Sequence, residues 1–317
     1  MNGINAVVTG GAGFIGSLLV DQLLADGKSV VVIDDLSTGN LSNLERAREQ
    51  GGNNFKFESL DVRSALTTEL IADLKPEVVF HLAAQVDLRH SVDDPLLDAE
   101  INILGTLRVL EGARHGTTQK IVVAASGGTL YGDQEHAQLP FKESLEPNPQ
   151  SPYGISKATT MNYLSAYQEL YGLDGTALAL ANVYGPRQDP HGEAGVVAIF
   201  AGQLLEKTGS IIFGTGEQTR DFVYVQDVVK AFIKASEVQK INFCNIGTGI
   251  ETSVNELYEV MASLLNNVSE PNYLPSRSGE VERSALDPTY AQSSLGWVST
   301  TSLSDGLSRT IDWFKEN

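Results

Sequence analysis

The stretch VTGGAGFIGSLL, Val8 to Leu19, closes a short apolar run, crosses a glycine-rich turn and opens an apolar helical pattern. Gly10, Gly13 and Gly16 lie between the expected strand and helix, and Gly11, Gly13 and Gly16 also satisfy the spacing G-x-G-x-x-G. Glycines there let the chain turn tightly and bring backbone N–H groups, with Phe14 and Ile15 at the helix start, to a pyrophosphate at the helix N-terminus. Gly16 lets the helix pack closely on the strand. Asp34 ends the next apolar run, 18 residues after Gly16. A carboxylate there binds the adenosine ribose 2′- and 3′-hydroxyls and repels a 2′-phosphate, which favours NAD over NADP. A turn or helix-capping aspartate is the plainer alternative.

Outward from that unit, the runs AVVTG, SVVVID, FKFESLDV, EVVFHLAA, KIVVAAS and GTALALAN alternate with longer helical patterns. Strands without polar alternation are buried on both faces, as in a parallel sheet covered by helices. Leu18, Leu19, Leu23 and Leu24 give the first helix an apolar stripe, and Asp26-Gly27 ends it. The expected fold is α/β: a Rossmann-type doubly wound parallel sheet with a smaller C-terminal substrate-binding domain. Residues 1–182 are expected to form the dinucleotide-binding part, with 222–248 returning to it, and 183–221 with 249–317 the substrate-side region. Asp61-Val62 and the segment Leu82, Ala83, Ala84, Gln85 follow the third and fourth strands, at the sheet edge where such folds bind ligands.

The 317 residues carry 22 basic and 40 acidic side chains, a net charge of −18. Such a surface repels nucleic acid and anionic membranes, so neither is an expected partner, and an anionic substrate must be met by local arginines. Cys244, the single cysteine, excludes an internal disulfide and a thiolate metal cluster. With no run of about 18 apolar residues and no signal-peptide pattern, the cytoplasm is the default compartment. The five histidines lack metal-ligand spacing, so no metal site is expected.

SPYGISKA places Tyr153 and Lys157 four residues apart, and Ser151-Pro152 makes a helix start, so both side chains lie on one helix face. A free tyrosine, with a pKa near ~10, is a poor base at neutral pH. An adjacent ammonium and a cationic nicotinamide both favour the phenolate. Alone, the spacing also fits an amphipathic tyrosine beside a surface lysine.

TGGAGFIG, DDLSTG, LAAQ, SPYGISK, NVYGPRQDP, GTGEQTRDFVYVQDVV, NIGTG and RSGEVERSALD occur in order along the chain. Together they resemble the extended short-chain dehydrogenases/reductases, most of all UDP-glucose 4-epimerases and related nucleotide-sugar epimerases. The resemblance implies NAD held by Gly10, Gly13, Phe14, Ile15, Gly16, Asp34, Asp35, Ser37, Thr38, Gly39, Asp61, Val62, Leu82, Ala83, Ala84, Gln85, Tyr153 and Lys157. It implies a UDP-sugar substrate, glucose/galactose with GlcNAc/GalNAc in prospect, and a homodimer. Tyr153 would take the 4-hydroxyl proton, and Lys157 would hold the nicotinamide ribose and tune Tyr153. After hydride transfer the 4-keto sugar turns over and is reduced on its other face. Asn182, Arg220, Arg277 and Glu280 would hold the nucleotide. Ser284 stands where some members carry a bulky tyrosine beside the sugar C2 substituent. Arg187 is equally suited to an ion pair, and His81 and His90 to structural roles. A regulator on this fold typically lacks the Tyr/Lys pair, and a reductase would release its cofactor.

AASGGTLYG, Ala124 to Gly132, follows the fifth strand. Dehydratases of the resembled family have an Asp-Glu pair after the helper hydroxyl and decarboxylases a glutamate; here stand Gly127, Gly128 and Thr129. The commoner epimerase pattern has a serine or threonine aligned with Gly127. Ser126 is the expected substitute, with Thr129 or water as alternatives, and Gly127 and Gly128 are expected to clear space around the reacting sugar.

Overall fold

The apolar β-branched runs form seven strands of one wholly parallel sheet. The computed structural model describes residues 5–134, 138–190, 195–267, 270–276 and 281–317. Strands β1 (Ala6–Thr9), β2 (Val30–Asp34), β3 (Phe55–Ser59), β4 (Val78–His81), β5 (Lys120–Ser126) and β6 (Asp174–Leu180) are joined by Phe243–Ile246. Across the sheet the order is Phe243–Ile246, β6, β5, β4, β1, β2, β3. The order reverses between β1 and β4, and the carboxyl ends of these strands frame the crevice in which such sheets bind ligands.

Val7, Val8, Val31, Val32 and Ile33 are all buried, which accounts for their unbroken apolar runs. One face of the sheet packs under α1 (Phe14–Ala25) and the helix Val225–Glu237, where Leu18, Leu19 and Leu23 meet Val8, Val32, Val228 and Phe232. The other packs under α3 (Ala65–Leu74), α6 (Thr106–His115) and α8 (Pro152–Tyr171), through Ile71, Val109, Leu110, Leu164 and Tyr167. Helix α2 is Glu45–Gly51; the short helices α4 (Leu88–Asp93), α5 (Pro95–Ala99) and α7 (Gly127–Tyr131) lie near the crevice. As the sequence suggests, α1 ends at Asp26 with Gly27 at φ +77°. Ser151 caps α8 by accepting from Gly154 N at 3.1 Å, with Pro152 in the first turn.

Beyond residue 182 the strands shorten and pair two by two: Asn182–Tyr184 with Phe222–Tyr224, Thr219–Arg220 with Thr252–Ser253, and Ile211–Phe213 with Asn272–Leu274. Residues 222–248 are thus divided: Phe222–Tyr224 stays outside the large sheet, while Phe243–Ile246 becomes its edge strand. Phe200, Tyr258, Met261, Trp297 and Leu307 join the cluster beneath α1, so the C-terminal elements share their core with one face of the sheet.

Candidate active site

The turn after β1 is built around absent side chains. Gly10 has φ +70°, and a Cβ there would stand 2.5 Å from Ala83 N; a Cβ on Gly16 would strike the Gly10 carbonyl. Gly13 caps α1 without a side chain, and no acid occupies the first turn. The opening amides of α1, at Phe14 to Gly16, and the positive end of its dipole are therefore open to an anion, with no acidic side chain in the first turn to compete. Asp34, 7% exposed, accepts Ala12 N through Oδ2 and Leu36 N through Oδ1, both at 2.9 Å. Burial pushes its carboxyl up while these two bonds hold it down, and each oxygen keeps a lone pair for a ribose hydroxyl. A Cβ on Gly39 would lie 2.8 Å from Asp34 Oδ1, so the loop through Ser37 and Thr38 folds back over the carboxylate. Asp35 binds the Ser37 N–H and hydroxyl at 2.9 and 2.6 Å. This cradle fits a dinucleotide with a free adenosine ribose.

The other expected cofactor contacts ring the same crevice. Asp61 is paired with Arg63 at 2.6 Å, which holds its carboxyl below the usual range, and Val62 is buried beside Gly105. Leu82 N bonds Thr9 O at 3.0 Å, leading Leu82, Ala83 and Ala84 over the end of β1. Gln85 is clamped by Asn102, whose amide meets its backbone N and O at 3.0 Å each, while Gln85 Nε2 donates to Asp87 O at 2.8 Å.

Tyr153 and Lys157 are buried on the first two turns of α8. Lys157 Nζ donates to Ala124 O of β5 at 3.1 Å and lies 5.7 Å from the Tyr153 ring centre. Two residues on, at the end of β5, the Ser126 side chain stands beside the Tyr153 phenol and favours its ionised form. Burial pushes the Tyr153 phenol up to about 12, with Ser126 pulling down; burial lowers Lys157 to about 8, with Asp98 opposing. Thr129 turns its hydroxyl to Ser126 O at 3.5 Å. The two glycines differ. A Cβ on Gly127 would run into the Leu286 side chain, whereas one on Gly128 would meet only Ser284 Oγ, at 4.0 Å. Gly127 therefore makes room for Leu286 rather than for a ligand, because its Cα faces the returning C-terminal segment.

Behind this pair runs a polar network that the sequence reading did not assemble. Thr106 Oγ1 donates to Asn102 O at 2.6 Å and so accepts from His81 Nε2 at 2.9 Å, while His81 Nδ1 accepts from Thr9 at 2.7 Å. His81 is held neutral, its pKa lowered to about 3 by burial and then by Lys157. Asn102 Nδ2 donates to Asp98 Oδ1 at 2.8 Å, and Ser156 Oγ to Asp98 Oδ2 at 2.6 Å. A π-helical turn, Glu100–Gly105, carries Asn102. His81 thus takes the structural role, and His90 is exposed on α4.

Asn182 N bonds Asp221 O at 2.8 Å and Ser284 N bonds Thr219 O at 3.3 Å, which brings Asn182 and Ser284 against the residues flanking Arg220. Buried Asp221 accepts from the Thr248, Gly249 and Leu286 amides at 2.9–3.2 Å. Arg277 and Glu280 lie outside the described residues. Arg187 pairs with Asp21 of α1 at 2.7 Å, both largely buried, and is structural. Among the described residues no acid, histidine or cysteine cluster could hold a metal, and no helix is long and apolar enough to cross a membrane.

Residues 7–310 match the family model described as GDP-mannose 4,6 dehydratase. The chain is similar to the UDP-glucose 4-epimerase of Mycolicibacterium smegmatis, 46% identical over 98% of this chain and 99% of that protein. It is similar to the crystal structure of the Thermotoga maritima UDP-glucose 4-epimerase with UDP-glucose, with a TM-score of 0.94, 43% identity and 99% of both chains covered. The Thermus thermophilus UDP-glucose 4-epimerase complex with NAD gives a TM-score of 0.90 at 38% identity, over 98% of this chain and 99% of that one.

Proposed function

Because the chain belongs to the GDP-mannose 4,6-dehydratase family of extended short-chain dehydrogenases/reductases, we propose that it is an NAD-dependent 4-epimerase of UDP-glucose and UDP-galactose. The observation that carries this reading is a buried Tyr153 with Ser126 beside it and Lys157 next to its ring, at the carboxyl end of β5. Gly127, Gly128 and Thr129 stand where, on the family resemblance, a dehydratase or decarboxylase carries its acid.

Asp34 binds the adenosine ribose and the α1 amides bind the pyrophosphate. Bound NAD⁺ supplies a hydride acceptor, and once reduced a hydride donor, at the sugar C4. Tyr153 takes the O4 proton, and Ser126 donates to the phenolate and steadies it. Lys157, anchored on Ala124 O, adds positive charge that favours the same phenolate. Tyr153 returns the proton after the 4-keto sugar has turned, which restores the alcohol with inverted configuration.

The nucleotide is held by Asn182 and Arg220, and on the family resemblance also by Arg277 and Glu280. Open space at Gly128 beside Ser284 Oγ leaves room for a C2 N-acetyl group, so UDP-GlcNAc and UDP-GalNAc are expected substrates as well. Exposed Leu96 of α5, Leu104, and Ile155, Tyr163 and Leu170 of α8 form an apolar surface that suits a homodimer. One cysteine, buried at Cys244, accords with a cytoplasmic setting.

The test is incubation with UDP-galactose and no added cofactor, followed by separation of the products. UDP-glucose is expected; a 4-keto-6-deoxy or decarboxylated sugar overturns the reading. Turnover of UDP-galactose without UDP-GalNAc removes the N-acetyl extension alone.

A further inference from the structure

The groups enclosed between α5 and α8 lead beyond the proposed reaction, on which this inference rests. Asp98 is fully buried. Its Oδ2 accepts the Ser156 hydroxyl at 2.6 Å and its Oδ1 the Asn102 amide at 2.8 Å, with Gln85 Nε2 at 3.5 Å. Ser156 lies on α8 between Tyr153 and Lys157. Asn102 grips both backbone polar groups of Gln85. Enclosing a carboxylate is costly unless hydrogen bonds and a counter-charge offset the lost hydration. The bonds come from Ser156 and Asn102, and the Lys157 ammonium adds a favourable opposite charge without direct contact.

We propose that Asp98 is a positioning residue for the catalytic pair: its one carboxylate fixes Ser156, between Tyr153 and Lys157, and through Asn102 the loop at Gln85, and its negative charge supports the Lys157 ammonium. An apolar residue could fill the same volume but could not join these three connections. The groups facing Lys157 are Tyr153 on its own helix, the Ala124 carbonyl on β5, neutral His81 on β4 and Asp98 on α5. Of these, Asp98 supports the charged amine, and His81 offers no charge. On Tyr153 the effect of Asp98 is divided: its charge opposes the phenolate directly, yet the ammonium it preserves favours it. The amine is therefore the clear readout.

The experiment compares Asp98→Asn and Ser156→Ala with the parent, all loaded with NAD, in two measurements. Lysine ¹³Cε NMR titration without substrate follows Lys157, its signal assigned by loss in Lys157→Met; pH profiles of kcat and KM follow UDP-galactose turnover. In Asp98→Asn the Lys157 titration and the alkaline limb of kcat are expected to move to lower pH, with KM little changed. Ser156→Ala keeps the charge, so kcat should fall at every pH while the limb stays. An unshifted Lys157 titration in Asp98→Asn overturns the proposal, even if kcat and melting temperature both fall. Should that variant not fold, Ser156→Ala decides, and undiminished kcat overturns the proposal. A parent without epimerase turnover defeats the functional reading instead, and the NMR titration still decides the role of Asp98.

Discussion

Removal of the Ser126 hydroxyl bears most directly on the chemistry. Tyr153 is enclosed and burial pushes its phenol up to about 12, with the Ser126 side chain as the group that pulls it down. A hydrogen bond to an ionised group contributes about 1.5–3 kcal/mol. At ~1.36 kcal/mol per pKa unit this is roughly one to two units, so Ser126→Ala should reduce the phenolate at pH 7 by roughly 10- to 100-fold. The hydroxyl donates to the charged form, so its loss raises the tyrosine pKa and the acid limb of kcat moves to higher pH. Thr129 is turned to Ser126 O and is not placed to compensate. The assay is the initial rate of UDP-galactose epimerisation from about pH 5.5 to 9.5, with thermal melting as a control for folding. Because both phenol pKa values lie above the assayed range, the expected loss in kcat is of similar size throughout it, KM stays close to the parent value, and Ser126→Thr recovers most of the rate. Parent-like turnover in Ser126→Ala refutes the assignment.

Gly127→Ala should press on Leu286 and cost roughly 1–3 kcal/mol in urea unfolding, while Gly128→Ala should stay within about 1 kcal/mol of the parent; the reverse order contradicts the different surroundings of the two glycines. Asp34→Asn removes the charge that meets the ribose hydroxyls, so NAD affinity measured calorimetrically should fall about 10- to 100-fold, and unchanged affinity argues against that contact. His81 titrates at about 3 in the fold and near ~6.5 when unfolded. The unfolded chain thus binds a proton that the fold refuses, and stability is lost as pH falls through the window between those values. From pH 7 to 5 this removes about 2 kcal/mol, and His81→Gln, compared by denaturant unfolding at both pH values, should lose correspondingly less.

What the sequence made legible is what lies close together along it. The turn at Gly10–Gly16, the carboxylate ending β2 and the four-residue spacing of Tyr153 and Lys157 each follow from a local period or a local steric need. The Asp98 network was illegible because Thr9, His81, Asp98, Asn102, Thr106 and Ser156 come from β1, β4, α5, the π-helical turn, α6 and α8. Only the parallel stacking of strands brings these together. The π-helical turn adds to the difficulty, since its register departs from the helical period used to judge which side chains share a face. Gly127 shows the same limit from the other direction. Its missing side chain answers to Leu286, whose approach is set by Asp221 holding the Leu286 amide, and nothing near Gly127 in the chain announces that neighbour.

The seating of Leu286 against Gly127 also constrains how this active site can change. Moving the helper hydroxyl from 126 to 127 requires a side chain where Leu286 now sits, so Gly127→Ser alone overpacks the site. Trimming Leu286 alone, as in Leu286→Ala, opens a cavity at a cost of about 2–5 kcal/mol. The two substitutions together exchange volume across one contact, and their effects should depart from additivity in the favourable direction. The two placements of the hydroxyl are thus neighbouring solutions separated by a stability valley, and a lineage passing between them must first hold stability to spare.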